Sequence, residues 1–127
     1  MRTSSGIWSG TLCLGLGFIL ATGPALGGDA AKGQGVYAKK CKACHSTKAE
    51  EHKMGPSLSG IFGNKAGATS FKKYRGLKGT DIVWNEANLD KFLADPRKFI
   101  GKKSGMKSRL KGAENRADVI AFLKTLK

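Results

Sequence analysis

Residues 41–45, Cys41-Lys42-Ala43-Cys44-His45, decide how the rest of the chain is read. Two cysteines separated by two residues and followed at once by a histidine form the spacing that attaches a c-type haem covalently. Two thiols must reach the two vinyl groups of one porphyrin, which holds the local backbone in a short helical turn beneath the ring. The next side chain then stands under the iron, where an imidazole serves as proximal ligand. A redox dithiol and half of a zinc site use similar pairs. The zinc reading needs a second CxxC or CxxH to complete four ligands, and the sequence has none.

Upstream of this motif, the first part of the chain is not fold material. Arg2 precedes an apolar run (Leu12, Leu14, Leu16, Phe18, Ile19, Leu20), and Ala25-Leu26-Gly27 offers small residues at a cleavage position. This is the layout of a secretory signal peptide. Residues 1–27 are therefore expected to be removed and residues 28–127 to form one exported, periplasmic domain. A retained anchor fits less well, because Gly15 and Gly17 break a run already shorter than the about 20 residues that a spanning helix needs. Cys13 falls inside the leader, and Leu12 before it is not the small residue that precedes a lipidated cysteine. The domain that remains has Cys41 and Cys44 as its cysteines. Export and the motif support each other, since c-type haem is attached outside the cytoplasm.

Charge points to the partners. The 127 residues carry 23 Lys and Arg against 9 Asp and Glu, a formal +14, and Arg2 is the leader's one charge. A surface this basic attracts anionic surfaces. An exported chain rarely meets nucleic acid, and no nucleic-acid motif is visible. An acidic docking face on a redox partner is the better match.

Downstream, the patterning is helical and loop-rich. Asp29 is a candidate N-cap for a helix to Lys40, in which Gly33 and Gly35 each cost about 1 kcal/mol relative to alanine. Either a close neighbour requires them or the helix tolerates them. Ser46 to Met54 reads as a polar loop, and the glycines and proline of residues 55–63 forbid a long helix. Residues 64–80 continue irregular, a length that needs something to pack on. Trp84 leads into a helix with Asn85 as N-cap and Leu89, Phe92 and Leu93 on one face; Pro96 ends it. A loop follows, then a final helix from Ala113 or Glu114 to Lys127, with Val119, Phe122, Leu123 and Leu126 as its apolar stripe. The expected class is all-α: about three main helices and glycine-rich loops wrapped round one covalently bound haem. So small a domain buries little by itself, so the haem-free chain is expected to fold poorly.

With His45 on one side of the iron, the other side needs a ligand. Met54 lies in a short loop just after His45 and would have to cross to the opposite face. Met106 lies far downstream in a polar, glycine-flanked loop, where a core-filling role explains a methionine poorly, and it is the preferred candidate. His52 and several lysines stay open as alternatives.

Taken together, the chain resembles a class I (mitochondrial-type) cytochrome c of the kind that bacteria export. The resemblance rests on Gly33 and Tyr37, the motif at 41–45, residues 55–63, Trp84, Leu93 to Pro96, Met106, and residues 116–123. It implies that His45 and Met106 are the axial ligands and that Gly33 lets the first helix cross the last against Val119 and Phe122. It also implies that the Pro56 carbonyl orients His45, that Trp84 and Tyr74 approach the haem propionates, and that His52 is a structural loop residue. The family's propionate arginine falls on Asn64 here, with Arg75 as the candidate substitute. A family phenylalanine falls on Lys72, with Phe71 one place early, and a family tyrosine falls on Phe92. The path from Tyr74 to Trp84 is one residue shorter, and the path from Pro96 to Met106 one longer, than is usual.

The implied function is one-electron transfer by a monomer, with no catalytic residues. The implied partners are the acidic faces of a cytochrome bc complex, terminal oxidase, reaction centre or periplasmic dehydrogenase, and a membrane is met through such complexes alone. Lys40, Lys42, Lys53, Arg97 and Lys98 would steer docking. A haem peroxidase or gas sensor would need an open sixth position with an acid–base group above it, and no such constellation is evident.

Overall fold

The computed structural model describes residues 27–101 and 103–127. The leader expected over residues 1–27 lies outside them, apart from Gly27. Among the described residues the chain forms four helices: α1 (Ala30–Lys40), α2 (Glu86–Ala94), α3 (Pro96–Ile100) and α4 (Ala113–Thr125). The one β-type pairing there is an isolated antiparallel bridge between Lys65 and Val83. The all-α expectation holds.

Each helix start has a local cause. The Asp29 carboxylate accepts from the N–H groups of Ala31 and Lys32 and so caps α1. Asn85 caps α2 through the Asn88 N–H at 2.8 Å. The sequence reading missed α3. Pro96 does end α2, but it also starts a new helix as its first residue, where its missing N–H is no loss. Asp95, extended at φ −160°, links the two helices and caps the second through the Lys98 N–H. Helix α4 ends at Thr125 rather than Lys127. The carbonyls beyond it are taken instead by the 59–60 segment, through Gly60 N to Leu126 O and Ser59 Oγ to Lys127 O.

Helices α1 and α4 cross closely, and Gly33 is the reason they can. A Cβ at Gly33 would overlap the Asp118 carbonyl oxygen and stand 2.9 Å from Phe122 Cβ. The neighbour that excludes it is therefore the Asp118 backbone, next to the expected Val119. At Gly35 nothing lies within 4 Å of such an atom, so the second glycine is tolerance rather than need. The buried Asp118 side chain ties the crossing by accepting from Asp29 N–H at 2.7 Å.

The core gathers Tyr37 from α1, Leu89, Phe92 and Leu93 from α2, and Val119, Ile120 and Leu123 from α4, with Leu58, Ala66, Leu77 and Trp84 from the loops. Ile120 was not part of the expected stripe. It is buried in the core, and α4 packs on α2 as well as on α1. Residues 63–66 clasp residues 82–84 through Gly63 N to Trp84 O, Trp84 N to Asn64 O and Ala66 N to Ile82 O, which fixes Trp84 beneath α2. The Trp84 ring packs on Phe92 and Phe99, with centroids 4.9 and 6.1 Å away.

Candidate haem-attachment site

The attachment motif grows out of the C-terminal end of α1. The Tyr37 carbonyl accepts from both Cys41 and Lys42 N–H, and the Cys41 carbonyl then accepts from Cys44 and His45 N–H at 3.0 and 2.9 Å. This pair of tight turns carries both thiols and the imidazole out of one helix end. Tyr37 locks it from the core side, donating its hydroxyl to the His45 carbonyl at 2.8 Å. Burial, and next the neighbouring Cys44, push the Cys41 thiol above its ordinary range.

The His45 ring is held from two sides. Its Nδ1–H donates to the Pro56 carbonyl oxygen at 2.8 Å, the contact expected of Pro56. Gly55 lies against the ring face, where a Cβ would overlap Cε1 and stand 2.8 Å from Nδ1. By sequence alone Gly55 is loop punctuation, and its place directly before Pro56 is the available signal of more. Burial pushes the imidazole below its usual pKa against the Pro56 bond, which raises it. The ring is therefore neutral at pH 7, the form that ligates a metal. Nε2 makes no hydrogen bond among the described residues, and no solvent-sealed side-chain nitrogen or oxygen there lacks a partner. Nε2 consequently faces open space.

The other candidate ligands separate by position. Met54 is 79 % exposed and its sulfur lies 4.0 Å from Cys44 Sγ, beside the attachment motif rather than across from it. Both nitrogens of His52 are engaged: Nδ1 accepts from Ser57 N–H at 3.0 Å, and Nε2 lies 2.8 Å from Ser70 Oγ. It is the structural histidine of its loop. Met106 is half-buried against the core, and its carbonyl accepts from the buried Ser104 hydroxyl at 2.8 Å. That bond braces the turn holding Met106, and the sequence reading did not see it.

Trp84 is 4 % exposed, and its indole N–H has no acceptor among the described residues. Phe71, displaced one place from its usual position, still packs edge-on against Tyr74 at 5.2 Å and lies tilted against His52 at 5.6 Å. The Tyr74 hydroxyl pairs with Thr69 Oγ1 at 2.6 Å. Asn64 donates its amide to Gly60 O, so it braces a turn rather than supplying charge.

Paired thiols on one turn and a neutral imidazole with an oriented ring and a free Nε2 fit a covalently held haem. Fold and site define a small all-α haem-c domain. The family profile described as Cytochrome c matches residues 30–127. The cytochrome c of Tetrahymena pyriformis is 36 % identical over 99 residues, covering 78 % of this chain and 90 % of that protein. The cytochrome c of Chlamydomonas reinhardtii is 38 % identical over 99 residues, covering 76 % and 88 %. The solved structure of cytochrome cH from Methylobacterium extorquens superposes with a TM-score of 0.68 at 36 % identity, over 77 % of this chain and 99 % of that one. The chain belongs to the cytochrome c family. It is an electron carrier, not an enzyme, and its haem c is attached through Cys41 and Cys44.

Proposed function

We propose that this cytochrome c is a periplasmic carrier, exported by residues 1–27, whose iron is ligated by His45 and Met106. The haem, when bound, supplies one-electron exchange between ferric and ferrous iron. His45 offers Nε2 to the metal, while Pro56 takes Nδ1–H, fixing the tautomer and raising the basicity of the ring. Met106 would offer a thioether, a ligand that favours the reduced state. Trp84 would donate its indole N–H to a propionate, and Tyr74 would stand near the same groups.

The engagement of both His52 nitrogens, together with Met54 lying on the cysteine side, carries the assignment to Met106. Ferric protein at neutral pH is expected to show the long-wavelength charge-transfer band of sulfur–iron ligation, and Met106→Ala to abolish it. A high-spin ferric spectrum in the unmodified protein would instead indicate an open site and a peroxidase-like or sensing role.

Its partners are redox proteins. Lys40, Lys42, Lys53, Arg97 and Lys98 are all exposed, and among the described residues none of the five forms a salt bridge. They suit brief docking on acidic faces, such as those of a bc complex, terminal oxidase, reaction centre or periplasmic dehydrogenase. Among the described residues no helix is long and apolar enough to cross a membrane, which fits membrane contact through partner complexes.

A further inference from the structure

The segment that follows Met106 is fastened to the corner where α2 gives way to α3. Asp95 stands at that corner and uses its two carboxylate oxygens differently. Oδ1 accepts from the Lys98 N–H at 3.1 Å and caps α3, while Oδ2 pairs with the Arg109 guanidinium at 3.0 Å. One residue further on, the Leu110 N–H donates to the Leu93 carbonyl near the end of α2 at 2.8 Å. Arg116 of α4 then holds the Leu110 and Lys111 carbonyls at 3.0 and 2.7 Å and pairs with Asp90 of α2 at 2.6 Å. On the other side of Met106, the Ser104 hydroxyl donates to the Met106 carbonyl at 2.8 Å.

Three residues carry the chain from Met106 to Arg109, a reach of about 10 Å at full extension. A span this short, held at both ends, leaves the Met106 backbone little room to withdraw unless one anchor lets go. The anchors are unequal. The Arg116 side chain is 13 % exposed, but that of Arg109 is 52 % exposed, so water competes for the Arg109–Asp95 pair first. We propose that this pair is the positioning contact that keeps Met106 seated at the iron. The proposal rests on Met106 as the axial ligand. Breaking the pair frees residues 107–109 and lets Met106 leave more often, while Arg116 and the Leu110–Leu93 bond keep the rest of the segment in place.

The test is imidazole titration of the ferric, haem-loaded protein, followed by loss of the sulfur–iron charge-transfer band. Imidazole competes with Met106 for one position, so its apparent affinity scales with the fraction of molecules in which Met106 has left. Asp95→Asn removes the charge but keeps the α3 cap, since asparagine caps about as well as aspartate; Arg109→Gln removes the other partner. Each should tighten imidazole binding roughly two- to fivefold, the range that an exposed ion pair spans. The double variant should bind no tighter than the tighter single one, because the same contact is lost in all three. Asp81→Asn breaks the Lys65–Asp81 pair, which lies outside this corner, and should leave imidazole affinity unchanged. A band missing from the unmodified protein would overturn the ligand reading and this proposal together. With the band present, unchanged affinity in either single variant, equal tightening in Asp81→Asn, or additive effects in the double variant would overturn this proposal alone.

Discussion

The carbonyl oxygen of Pro56 accepts the His45 Nδ1–H at 2.8 Å, while Gly55, one residue earlier, lies against the same ring. The loop therefore orients the imidazole by a bond on its edge and a backbone on its face. Gly55→Ala places a methyl group into the ring. We expect a loss of about 1–3 kcal/mol, the usual cost of overpacking, and a shifted reduction potential, read by denaturation and voltammetry of the haem-loaded protein. An unchanged potential would show that the ring is positioned by Pro56 alone.

The two glycines of α1 should respond in opposite directions. Gly33→Ala drives a Cβ into the Asp118 carbonyl and should cost about 1–3 kcal/mol or more by separating α1 from α4. Gly35→Ala meets nothing within 4 Å and should stabilise the protein by up to about 1 kcal/mol. Urea midpoints of the two variants check both signs.

Tyr37 predicts an alkaline limit. Burial raises its phenol above the ordinary value of 10.0. An acid whose folded pKa is raised leaves stability intact below the unfolded pKa and withdraws it as pH climbs from there through the folded pKa. Stability should therefore decline above pH 10.0, in the window set by that shift. Tyr37→Phe should be less stable at neutral pH, having lost the bond to the His45 carbonyl, yet show a shallower decline at high pH. Melting curves across that range test it, and an identical slope in both proteins would count against this origin.

Electron exchange with acidic partners should slow steeply with added salt, because unpaired surface cations act over distances that salt screens to about 8 Å at physiological strength. Stopped-flow rates across ionic strengths check this. Lys42→Glu or Lys98→Glu should lower the low-salt rate and flatten the dependence.

The chain's dependence on its cofactor is also testable. Cys41→Ala combined with Cys44→Ala removes both attachment points, and the haem-free product is expected to lack a cooperative thermal transition by far-UV circular dichroism. A sharp transition would show that the helices hold one another without the ring.

Much of this protein was legible in the linear chain because its determinants are local. The CxxCH spacing, the caps at Asp29 and Asn85, and the stop at Pro96 all act within a few residues. The restart at Pro96 was local too, but a proline that ends one helix reads as an end. Other features depend on which distant segments meet. Gly33 and Gly35 look alike in sequence and differ because Asp118 backs onto one of them. Likewise the sequence disfavours His52 and Met54 as iron ligands, but which groups stand beside them, Ser57 and Ser70 at the one and Cys44 at the other, depends on the packing. Residue types and spacing determined that this chain carries haem and electrons. Tertiary packing decided which glycine is indispensable, what holds the His45 ring and what anchors the segment after Met106, since steric exclusion and hydrogen-bond partners arise when remote segments come within a few ångströms.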